Sequence, residues 1–187
     1  DVNDPKSYDF EMTDMYLKRI QGVGCETFYR LGSKIEHEKK FGTYPPKDNQ
    51  KWAEICEHII RHYNEGWADG FYYDIKYWEI WNEPDCIAPG GNQLWTGTKE
   101  EYYDLYRITS KHLKSCFGDK IKIGGCGSCG FYWCDQNLNP EDLDIAMGIT
   151  KKKTLATTDH PDPEIAKFLV VRNKYFIDFF EDFIKMV

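Results

Sequence analysis

Long apolar runs are missing from this 187-residue chain. No stretch approaches the roughly 20 residues of a membrane span, and the opening residues do not read as a signal peptide. An excess of positive charge is missing too. The formal net charge is −7, with acidic and basic residues interspersed, which argues against nucleic acid or an anionic membrane surface as partner. The one short basic run, Lys151-Lys152-Lys153, reads as a solvated loop. No internal repeat or low-complexity linker divides the chain, so a single domain over residues 1–187 is expected. No Gly-rich phosphate loop opens a helix, which weakens a nucleotide-binding reading; Gly124-Gly125-Cys126-Gly127 runs into a long loop instead. An even set of cysteines is also lacking. Seven cannot all pair within one chain, which favours reduced thiols and a reducing, cytoplasmic compartment.

Aromatic residues, by contrast, are plentiful. They make up 16% of the chain, and many fall in polar, loop-like stretches rather than in periodic cores. Flat rings beside polar groups suit sugars, whose C–H faces stack on aromatics while their hydroxyls take hydrogen bonds. An aromatic-rich core would give the same composition.

The pattern alternates helix and strand. Residues 10–21 carry Tyr16, Leu17 and Ile20 at helical spacing and end at Gly22 and Gly24. Cys25 to Leu31 reads as a strand. Trp52, Ile55, Cys56, Ile59, Ile60 and Tyr63 form one apolar stripe, with Asp48 or Asn49 as N-cap. Ile75 to Trp81 is a second strand. Thr98-Lys99-Glu100-Glu101 is a capping box opening a helix whose stripe is Tyr102, Leu105, Tyr106, Leu113 and Cys116. Ile121 to Gly125 is a third strand, and Asp162-Pro163 opens a last amphipathic helix through Phe176, Phe179 or Phe180, and Phe183. A βα series of this kind implies α/β architecture with a parallel sheet. The long loops, 32–47, 82–97 and 126–162, all follow strands, as in a (β/α) barrel whose active face is built by those loops.

Chemistry concentrates in Tyr77-Trp78-Glu79-Ile80-Trp81-Asn82-Glu83-Pro84-Asp85. Aromatic and β-branched residues favour a strand, and Pro84 stops it. Side chains alternate along a strand, so Asn82 and Glu83 can enter one pocket only if the strand ends or bulges there. Glu83 would serve as general acid/base, with Trp78 and Trp81 supplying apolar surroundings that raise its pKa. Asn82 would bond a substrate hydroxyl. Tyr77, Trp78, Trp81 and Trp95 are candidate pocket walls. Glu36 and His37, on the loop after the first strand, are candidate substrate contacts. Glu79 lies about 13 Å back along the strand from Glu83 at ~3.3 Å per residue and is expected to pair with a cation such as Arg30. Asp85 and Asp135 read as loop residues without a supporting constellation.

This motif resembles the Asn-Glu-Pro signature of clan A glycoside hydrolases, which are (β/α)₈ barrels. Further stretches are similar to glycoside hydrolase family 39, the β-xylosidase and α-iduronidase family. They are Phe28 to His37, Pro45-Pro46-Lys47-Asp48 with Trp52, His62-Tyr63-Asn64-Glu65-Gly66-Trp67, and Ile123-Gly124-Gly125. The resemblance covers most of residues 8–130. It implies a retaining enzyme that needs no metal or organic cofactor. Glu83 would be its acid/base at the end of the fourth barrel strand, and Asn82 would contact the sugar 2-hydroxyl. Such a mechanism needs a second carboxylate about 5–5.5 Å from the first as nucleophile, which in the family follows the seventh strand.

The three strands here look like the third to fifth, and a whole barrel takes ~250 residues. The expectation is therefore a partial (β/α)₈ barrel, a central segment of a retaining β-glycosidase acting on xylosides or related sugars, with its nucleophile outside this chain. Open parallel edges lead to an expectation of self-association or docking with the remaining barrel segments. Two alternatives stand beside this reading. One is an inactive or carbohydrate-binding remnant. The other is a metal or redox protein built on Cys126-x2-Cys129-x4-Cys134 with His112 or Cys116.

Overall fold

The computed structural model describes residues 1–32, 39, 41–85, 94–128 and 163–187, with 163–174 given by backbone only. Three strands, β1 (Phe28–Leu31), β2 (Tyr77–Asn82) and β3 (Lys122–Gly127), form a parallel sheet in the order β1-β2-β3. The helices are α1 (Glu11–Gly22), α2 (Asn49–Glu65), α3 (Lys99–Phe117) and α4 (Pro163–Met186). The α/β alternation and parallel pairing expected from the sequence are observed. No helix among the described residues is long and apolar enough to cross a membrane.

Local signals place the helix starts. Asp48 caps α2 by accepting the Lys51 amide at 3.0 Å. Thr98 and Glu101 close a reciprocal capping box on α3, at 3.2 and 2.8 Å. Each satisfies amides that the first turn leaves without intrahelical partners. Gly66 ends α2 at φ 75°, a left-handed position that glycine takes without a Cβ penalty.

The sheet is shifted relative to the sequence expectation. β1 begins only at Phe28, while β2 extends to Asn82 and β3 to Gly127, so Cys126 is a strand residue rather than the start of a loop. In α1 only Leu17 is buried, and Tyr16 is exposed. In α3 the stripe continues through Thr109 and Phe117, while Cys116 sits at its edge, half-buried.

Two apolar clusters hold the layers together. Leu31 and Trp78 from the sheet pack with Leu17, Cys56, Ile60, Tyr63, Ile75, Leu113, Phe117 and Ile121. Nearer the C-terminal end of β2, Ile80, Trp81 and Cys126 pack with Trp95, Tyr102, Leu105, Tyr106, Phe179 and Phe183. The start of β2 is clamped by Asn64, whose side chain donates to the Ile75 carbonyl at 2.9 Å and accepts the Ile75 amide at 2.7 Å. The neighbouring His62 and Tyr63 both reach Asp14 of α1, at 3.0 and 3.1 Å, and His62 also meets the Trp67 carbonyl at 2.8 Å. The His62 to Trp67 stretch is thus a structural clamp that aligns α1, α2 and β2.

Candidate active site

The candidate site forms where β2 and β3 end side by side. Arg30, Glu79 and Gly124 stand in register across the three strands, and Asn82 pairs with Gly127 three residues further on. Arg30 Nε donates to Glu79 Oε2 at 2.5 Å, the ion pair expected for Glu79. Gly127 sits at the centre of this polar group. A Cβ there would lie 3.0 Å from Glu79 Oε1, 3.1 Å from Arg30 Nη2 and 3.2 Å from Asn82 Oδ1. Glycine is needed at this point because polar heads of three side chains converge on its α-carbon. The neighbouring Gly125 faces the helices instead, where a Cβ would fall 2.1 Å from the Tyr106 ring. Close approach, not a phosphate cradle, accounts for these two glycines.

Glu79 and Asn82 are three residues apart, yet both lie beside Gly127. A regular strand would put them on opposite faces. The break is at Trp81, whose φ is 68°, with Cys126 at 64° in the adjoining strand. The register runs from Ile80↔Gly125 to Asn82↔Gly127, so both strands take the irregular step together and pairing survives it. Glu83 follows at φ 45°. Non-glycine residues at positive φ cost of order 1–3 kcal/mol each and concentrate at functional sites. The strand break expected near Pro84 is therefore present, one residue earlier than Asn82.

Burial also corrects the reading of the tryptophans. Trp81 is buried against Trp95 and Trp52, with centroids at 5.1 and 5.9 Å, and its indole N–H donates to the Leu94 carbonyl at 2.8 Å. Trp78 is fully buried in the other cluster and donates to the Ile75 carbonyl at 3.0 Å. Trp95 is buried and donates to the Thr98 carbonyl at 2.9 Å. All three indoles spend their donor inside the protein and expose no face, so they are core residues rather than pocket walls. Tyr77 is half-buried, under Lys122 and stacked on the exposed Phe28. Glu36, His37, Cys129, Cys134 and Asp135 lie outside the described residues.

Glu83 is half-buried, and its amide donates to the Gly127 carbonyl at 3.0 Å. Its carboxyl is pushed above the usual glutamate range, chiefly by burial and next by the Asp85 carboxylate, while Arg30 pulls it the other way. Asp85 is the residue that sequence reasoning undervalued. It is buried and accepts a 2.5 Å hydrogen bond from Ser128 Oγ, just past β3. An aspartate directly after the Asn-Glu-Pro run was the available signal. Its charge also helps burial raise the thiol of Cys126 well above the usual range.

Of the cysteine constellation only Cys126, Cys116 and His112 fall among the described residues, and Cys126 does not meet the other two. Cys126 is buried among Tyr102, Tyr106 and Trp81, whereas Cys116 packs at the edge of the other cluster. His112 bonds Glu57 at 2.6 Å instead. A buried, neutral thiol is poorly suited to redox exchange.

The comparison with known proteins bears on the same segment. The family model described as glycosyl hydrolases family 39 matches residues 1–143. The chain belongs to family 39. Its match to the beta-xylosidase of Caldicellulosiruptor saccharolyticus is 23% identical over 179 residues, 86% of this chain and 35% of that protein. With the beta-xylosidase of Geobacillus stearothermophilus it shares 30% identity over 120 residues, 58% of this chain and 22% of that protein. A crystal structure of a glucosidase from Croceicoccus marinus aligns with a TM-score of 0.59 and 27% identity, over 80% of this chain and 29% of the other. The family 39 chain described here thus spans about a third or less of the length of these relatives.

Proposed function

We propose that this segment is the proton-handling part of a retaining β-glycosidase acting on xylosides or closely related sugars, set in the third to fifth βα units of a (β/α)₈ barrel. The observation that carries the proposal is Glu83 itself. It stands at the C-terminal end of a central parallel strand, where barrel enzymes place catalytic groups. It follows Asn82, and its carboxyl is raised so that it can hold a proton to donate. The beta-xylosidase names of the two relatives support the choice of sugar.

In this mechanism Glu83 protonates the leaving glycosidic oxygen, then takes a proton from water in the second step. Asn82 holds the 2-hydroxyl of the sugar beside the Gly127 backbone. Arg30 and Glu79 neutralise each other beside the site. Glu79, paired with Arg30, and Asp85, buried and bonded by Ser128, are both occupied. The nucleophilic carboxylate is assigned, as the family resemblance implies, to a later strand of the barrel.

Within the described residues β1 and β3 each pair on one side only, and a groove of about 550 Å³ lies between α3 and β3, lined by Tyr106, Ser110, Lys114, Ile121 and Ile123. This is where a following βα unit would pack, and it supports docking with further barrel segments.

The test is kcat/KM for hydrolysis of aryl β-xylosides by the complete barrel that carries this segment and by its Glu83→Gln variant. The variant is expected to lose most activity on substrates with poor leaving groups and least on dinitrophenyl xyloside, whose departure needs no proton. Equal loss on both would refute the acid/base role.

A further inference from the structure

A second cluster of chemically capable side chains lies in the helix layer, away from the ends of β2 and β3. Glu57 on α2 and His112 and Cys116 on α3 bring a carboxylate oxygen, an imidazole nitrogen and a thiol sulfur within 4.8 Å of one another. His112 and Cys116 are four residues apart and so share one face of α3. Glu57 meets them from the neighbouring helix. All three residues are half-buried, which leaves an access path from solvent. We infer that this cluster binds a thiophilic divalent cation, zinc, as a bridge between α2 and α3.

The distances support this. Bond lengths of 2.0–2.2 Å to nitrogen and oxygen and 2.3 Å to sulfur, at tetrahedral angles, put nitrogen about 3.4 Å from oxygen and about 3.6 Å from sulfur. In the structure His112 Nε2 lies 2.6 Å from Glu57 Oε2 and 3.8 Å from Cys116 Sγ. The carboxylate needs to retreat from the imidazole by less than about 1 Å, and the sulfur already stands near its distance from the nitrogen. Zinc then takes the place of the hydrogen bond between His112 and Glu57. The donor set of one sulfur, one nitrogen and one oxygen suits zinc rather than calcium or magnesium, which prefer all-oxygen shells. A water completes the fourth position.

The surrounding groups already hold the ligands in position. Arg61 Nε bonds Glu57 Oε1 at 2.8 Å, leaving Oε2 to face the histidine. Gln50 Nε2 lies 3.1 Å from His112 Nδ1, so in this orientation the amide donates to Nδ1 and Nε2–H faces Glu57. With the Gln50 amide turned so that its oxygen accepts, Nδ1 carries the proton and Nε2 is free to ligate. Arg61, which pairs with Glu57, is offset by Glu65 as well. Burial and next the Glu57 charge raise the Cys116 thiol, and ligation as thiolate releases its proton to solvent.

Cobalt(II) titration of the protein tests this. One equivalent is expected to give a thiolate-to-cobalt absorption band that zinc displaces. The band should vanish in Cys116→Ser, and affinity should fall at least about tenfold in His112→Ala and Glu57→Gln. No thiolate band, or a band that survives Cys116→Ser because other cysteines supply it, would overturn the inference. If Cys116→Ser does not fold, alkylation of the native protein decides. Zinc should shield Cys116 from iodoacetamide, and unchanged labelling would refute the site.

Discussion

The amide of Glu83 donates to the carbonyl of Gly127 at 3.0 Å, tying the candidate acid to the end of the adjacent strand. Glu83 has left the regular strand by then, at φ 45°, so this bond carries the pairing of β2 and β3 one step past Asn82. The backbone on both sides of the Asn-Glu pair is thus anchored, although the pair itself breaks strand geometry.

The first prediction concerns Glu83→Gln. General acid–base catalysis contributes roughly 10²–10⁴-fold, so kcat on alkyl xylosides should fall by that order. Stability should move the opposite way. The folded-state pKa of Glu83 is raised, so the native state binds this proton more tightly than the unfolded chain. That contribution is present below the unfolded pKa and lost as pH rises through the folded one. Glu83→Gln should therefore unfold at a higher temperature than the parent at pH 8, with the gap closing towards pH 4. A thermal melt series over that range checks the sign.

The Asp85 charge is one cause of the raised Glu83 carboxyl. Asp85→Asn can still accept from Ser128 but lacks the charge, so Glu83 should lose its proton at lower pH. The alkaline limb of kcat/KM is expected to shift downward, while the acid limb stays. An unchanged alkaline limb would mean that burial alone sets the Glu83 pKa.

Gly125→Ala and Gly127→Ala should separate packing from function. At Gly125 the new methyl meets the Tyr106 ring at 2.1 Å. Overpacking should cost about 1–3 kcal/mol of stability, measured by urea unfolding, without changing the pH profile. At Gly127 the methyl presses on Glu79, Arg30 and Asn82 at 3.0–3.2 Å. Here the expected effect is a loss of kcat through displaced Asn82, with a smaller stability change. Equal kinetic effects from both variants would contradict the assignment of Gly127 to the site.

Arg30→Met should leave the Glu79 carboxylate without its 2.5 Å partner. Glu79 is nearly buried while Arg30 is half-exposed, so the loss is expected at about 1–3 kcal/mol, the cost of an unsatisfied polar group, rather than that of a fully buried broken pair. Glu79→Gln in the same background should recover part of it. Denaturant midpoints of the two variants provide the check.

Much of this was legible in the sequence because it depends on neighbours along the chain. The caps at Asp48 and Thr98, the α2 stripe and the strand ending in Asn82-Glu83 follow from local propensity and from a period of 3.6 or 2. The Asn-Glu-Pro run and the stretches around it were enough to place the chain in family 39. Other features had no local signature. Trp78 and Trp81 read as pocket walls from their position, yet both are buried, Trp78 under α2 and α3 residues and Trp81 beside a left-handed step paired with Cys126 on another strand. The roles of Asp85, Gly127 and the Glu57–His112–Cys116 cluster depend on partners 43 to 59 residues away in the chain, or on strands that meet only on folding. Sequence alone determined which residue types were available and in what local conformation. Tertiary structure decided which of them share a desolvated space, and that sharing sets the proton affinity of Glu83 and brings three ligand atoms together between α2 and α3.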